Sequence, residues 1–82
     1  MELPKAMPKN TEHRRILGEF YDYHKNKQWF HRAEFIELHP THMKPTIQIF
    51  CTYNPVLEMK DILQFCDKYN IAQEVIAQSH QG

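Results

Sequence analysis

Glycine is nearly missing from this chain: of 82 residues only Gly18 and Gly82 are glycine, and Ser79 is the only serine. A loop that wraps phosphate in backbone amides needs several glycines close together, so a phosphate-binding loop of that kind is excluded. A lone serine in a frayed tail leaves no positioned serine nucleophile. Cysteine is scarce too. Cys51 and Cys66 form no CxxC pair, and with no apolar leader segment in Met1–Asn10 they read as reduced, buried thiols of a cytoplasmic protein. No apolar run approaches the length of a membrane span. Net charge is also absent, because 10 Lys and Arg balance 10 Asp and Glu. A dedicated polyanion binder is normally basic. A formally neutral surface also disfavours solubility near pH 7 unless association hides part of it.

What is present is an apolar content of 41% that includes five Phe, four Tyr and one Trp. That suffices for one core, and 82 residues leave no room for two, so residues 1–82 read as a single domain. A domain this small buries only about 60–65% of its unfolded surface, so modest stability is expected.

The apolar pattern changes period along the chain. Residues 1–9 carry Pro4 and Pro8 and read as a flexible arm or an edge strand. Asn10 or Thr11 can then cap a helix in which Ile16, Leu17, Phe20, Tyr21 and His24 share one face. Gly18 interrupts it, and a close approach of helix to sheet would explain that glycine. Trp29–Leu38 reads as a strand with apolar residues on both faces, and His39–Pro45 as the turn that follows. Thr46–Tyr53 alternates cleanly, with Ile47, Ile49, Cys51 and Tyr53 directed at the helices. Asn54 and Pro55 open a second helix whose buried stripe is Val56, Met59, Ile62, Leu63, Cys66 and Tyr69. Asn70 suits the left-handed conformation that ends helices. Ile71–Gln78 reads as a strand and residues 79–82 as a frayed tail.

The order (β)αββαβ is that of an α+β, ferredoxin-like split βαβ fold: an antiparallel sheet with two helices on one face and a weak or absent first strand. Such a fold brings no activity with it. The six histidines include the pair His39-x-x-His42, a spacing a metal can use, but Cys51 or His31 would have to complete the set. No HExxH segment or carboxylate pair reinforces it. No metal site, cofactor or catalysis is therefore expected. The function that remains is a small non-catalytic protein–protein interaction or regulatory module, self-associating as a homodimer through the helix-free face of its sheet. Trp29, Phe30, Ile36 and Phe50 are the expected apolar anchors, with Arg32 as a polar rim. The alternative is weak nucleic-acid binding. Residues 5–32 hold seven cations against three anions, and Lys25, Lys27 and Arg32 stand among aromatics there. Against it, Thr46–Tyr53 lacks the glycine-and-cation signature of RNA-binding strands.

Overall fold

The computed structural model describes residues 7–77. The readings of residues 1–9 as arm or edge strand and of 79–82 as frayed tail therefore fall mostly or wholly outside the described residues. The first helix, α1, is Thr11–His24. Asn10 caps it: its side-chain oxygen accepts the backbone N–H groups of Glu12 (2.8 Å) and His13 (3.2 Å). The predicted face is the buried one, Ile16, Leu17, Phe20, Tyr21 and His24. Gly18 lies on the opposite, exposed side, and a Cβ added there meets nothing within 4 Å. No close approach explains this glycine.

Strand β1 is Phe30–Ile36 and runs antiparallel to β2, Thr46–Cys51. A single 3-10 turn, Val56–Glu58, leads into α2, Met59–Tyr69, and β3 is Ala72–Ala77. Asn54 is not the cap of α2. The chain first makes the 3-10 turn, and no side chain caps the helix itself. The far end behaves as the sequence indicates. Asn70 adopts φ 55°, ψ 47°, its N–H bonds to the Asp67 carbonyl, and the Ile71 N–H bonds to the Cys66 carbonyl. This pair of bonds is a Schellman motif, and it turns the chain straight into β3.

Among the described residues the sheet has three strands in the order β1-β2-β3 and is mixed, with β3 parallel to β2. The expected antiparallel sheet is thus corrected, and the ferredoxin-like order is not found. A split βαβ unit leaves a gap between its two strands for another strand. Here Thr46 pairs with Ala72 and Cys51 with Ala77, so β2 and β3 are direct neighbours and the gap does not exist. The Ala72 N–H bonds to the Pro45 carbonyl at 2.8 Å, which fixes the register just before β2 begins.

The core lies between the sheet and both helices. Ala33, Ile47, Ile49 and Cys51 meet Ile16, Leu17 and Phe20 from α1 and Ile62 and Cys66 from α2. Aromatic edges join the helices, with Phe20 and Phe65 ring centroids 5.5 Å apart. Tyr21 ties α1 to β1. Its hydroxyl donates to the Ala33 carbonyl (3.0 Å) and accepts from the Ala33 N–H (2.9 Å), so one side chain satisfies both backbone groups of a β1 residue. The predicted stripe of α2 is only partly correct, because Val56 and Leu63 are exposed while Ile62 and Cys66 are buried. No helix among the described residues is long and apolar enough to cross a membrane.

Candidate functional site

A one-residue slip decides where the expected anchors lie. Phe30 pairs with Cys51, but Arg32 pairs with Phe50, so the strand carries a bulge at His31. The bulge turns Phe30 inward, onto the side of Ala33 and Phe35, whereas uninterrupted alternation would place it beside Arg32. Phe30 is 4% exposed and packs edge-on against Phe20 and Tyr21. Trp29 is 3% exposed, and its indole N–H donates to Glu58 Oε2 at 2.9 Å. Neither can serve as a surface anchor.

The helix-free face carries three rows: Ile36, Thr46 and Ala72; then Glu34, Gln48 and Glu74; then Arg32, Phe50 and Ile76. Its middle is polar. Gln48 donates to Glu74 at 2.7 Å, and Arg32 lies 3.4 Å from Glu34. The Arg32 guanidinium covers Phe50, 3.9 Å from the ring centroid. The expected anchors do not gather on this face, because Trp29 and Phe30 are internal and Ile36 and Phe50 stand in separate rows with the polar row between them. The cations of the alternative reading do not converge either. Lys25 caps the end of α1, Lys27 pairs with Glu58 at 3.0 Å, and Arg32 is on the sheet.

His39 and His42 do come together, with ring centroids 4.7 Å apart, and β3 adds Glu74. Sequence spacing gave no hint of Glu74, since its approach depends on the parallel pairing of β3. The donor set suits a metal, but the hydrogen bonding does not. His39 Nδ1 accepts the N–H groups of Thr41 (3.0 Å) and His42 (3.4 Å), so in the neutral ring the proton sits on Nε2, 3.4 Å from Glu74. A metal at Nε2 would need that proton on Nδ1, where two amide hydrogens already point. As bonded here, His39 braces the turn and holds a carboxylate. Glu74 is kept below the usual carboxylate range by the Gln48 amide first and by His39 second.

His24 has the opposite tautomer. Its Nδ1 is 3.0 Å from the Phe20 carbonyl, which can only accept, so Nδ1 carries the proton and Nε2 is left as an acceptor. Burial pushes the ring below the ordinary imidazole range, against the Phe20 carbonyl, Glu58 and Asp61, which act the other way. The ring borders a groove of about 400 Å³ between the end of α1 and α2. Glu58 stands at its rim, held below the usual carboxylate range by the Trp29 N–H and by Lys27. Both cysteines are free and buried. Burial pushes Cys51 up to about 11 and Cys66 up to about 12, so neither holds an appreciable thiolate at neutral pH.

Three exposed apolar residues gather elsewhere. Leu57 is 96% exposed, Val56 68% and Tyr53 53%. All three border a hollow of about 190 Å³ with Trp29 and the buried Pro55 at its base. Spacing alone places Val56 in the buried stripe of α2, but it lies in the 3-10 turn ahead of that helix and is exposed. The chain matches no family model, no curated protein and no solved structure.

Proposed function

We propose that this protein is a non-catalytic interaction module that docks through the knuckle formed by Tyr53, Val56 and Leu57, with a second copy of the chain as its partner. The observation that carries the reading is Leu57, a large aliphatic side chain held 96% in solvent beside two other exposed apolar residues. Burying a leucine is worth roughly 1.5–3 kcal/mol, and three such residues around a hollow form the centre of a small interface. Glu58 lines the hollow and pairs with Lys27 at 3.0 Å, so both signs stand beside it and a two-fold arrangement can set unlike charges opposite each other. The docking surface is therefore the loop between β2 and α2, and not the sheet face, whose middle is polar.

Leu57→Asp tests this. Leu57 is so exposed that folding stability should change by no more than about 0.5 kcal/mol. Sedimentation across a concentration series should show wild-type dimers that the variant does not form. A wild-type chain that stays monomeric at high micromolar concentration would refute the second copy as partner.

A further inference from the structure

We propose that the groove between α1 and α2 binds a small primary amine with a flat apolar body, its ammonium held between Asp61 and Nε2 of His24. Groove volume comes first: about 400 Å³ is within the range that encloses small organic ligands. The second support is the pattern of paired and unpaired charge. Of the four charged residues lining the groove, Lys27 pairs with Glu58 at 3.0 Å and Lys68 lies 3.8 Å from Glu19. Asp61 alone has no ion-pair partner among the described residues. It lies close enough to His24 to act on the ring electrostatically, as do Glu58 and Lys27.

The third support is the fixed tautomer. His24 stacks on Phe20 at 4.2 Å between centroids, and its Nδ1–H is engaged by the Phe20 carbonyl, so the ring presents a lone pair and cannot rotate to present a proton. An acceptor beside a carboxylate calls for a ligand group with at least two N–H donors and a positive charge, which a primary ammonium supplies. The walls are Tyr23 and Phe65, with ring centroids 6.1 Å apart and nearly perpendicular, and these favour a flat apolar body. A carboxylate ligand is disfavoured at this end. The nearest lining cation without a carboxylate already at hydrogen-bonding distance is Lys68, seven residues along α2 and so roughly 10 Å away.

The test is an NMR titration of the ¹⁵N-labelled full chain with 2-phenylethylamine, with 2-phenylethanol and phenylacetate as comparators. The amine should shift backbone signals of Tyr23, His24, Asp61 and Phe65 together and move the His24 Nε2 resonance. The alcohol should bind at least about tenfold more weakly, as should the amine to Asp61→Asn, a surface change that leaves the fold intact. Phenylacetate should leave these signals in place. Shifts that are absent or scattered over the surface would overturn the proposal. So would an alcohol that binds as well as the amine, or an Asp61→Asn chain that binds the amine as tightly as wild type.

Discussion

Replacing Gly18 with alanine should stabilise this protein. Gly18 is the eighth of the 14 residues of α1, far from both ends, so the full interior penalty of glycine applies, about 1 kcal/mol relative to alanine. The site is exposed, and the new methyl meets nothing within 4 Å, so neither a clash nor added burial alters that figure. The gain comes from a less mobile unfolded chain. In a domain of this length 1 kcal/mol corresponds to about 4–8 °C in Tm. Calorimetry would read the shift directly. Urea unfolding should show a higher midpoint with an unchanged slope, because no surface is newly exposed or hidden. A Tm that stays the same or falls would refute the reasoning, since it would mean that position 18 touches something.

Two further outcomes follow from bonds described above. Tyr21→Phe should destabilise the fold by about 2 kcal/mol by urea unfolding, because the Ala33 N–H and carbonyl both lose their phenol partner; a loss under 0.5 kcal/mol would show that the phenol is dispensable. Stability should fall on acidification in two stages. His24 is depressed in the folded protein, so the native state binds fewer protons than the unfolded chain, and stability starts to fall as pH drops through the ordinary imidazole value of 6.5. Glu58 and Glu74 are also depressed, as is Glu37, which accepts the Asn10 N–H at 3.0 Å, and their contribution is present above 4.5 and lost below it. Urea midpoints from pH 8 to pH 3 would show both stages, and a maximum near pH 5 would contradict the sign assigned to His24.

Local chemistry was legible wherever one residue sets one backbone conformation. Asn10 and Asn70 mark helix ends for reasons that reside in their own side chains. The face of α1 and the inward set Ile47, Ile49 and Cys51 of β2 followed from period alone, whereas Tyr53, expected beside them, lies past the end of the strand and is exposed. What was hidden depends on a partner distant in sequence. Nothing near residue 31 announces an extra residue in the ladder, yet that slip moves Phe30 from one side of the sheet to the other and removes it from the expected interface. The parallel neighbour relation of β2 and β3 is likewise a choice of pairing that no local pattern encodes, and with it went Glu74, which reaches His39 only because Glu74 pairs with Gln48. Val56 fits a helical stripe on paper but lies in the tighter turn ahead of α2, and Leu63 stands beside the stripe that Ile62 and Cys66 bury.

Filaments built by adding ribbon to ribbon need every unit to offer two receptive margins. In this molecule the phenol of Tyr21 already occupies the place at Ala33 where a newcomer's amide would bond. Growth from the β1 margin of the described sheet must first peel α1 away, so strand addition at its opposite margin would end in a closed pair and could not run on into a fibre.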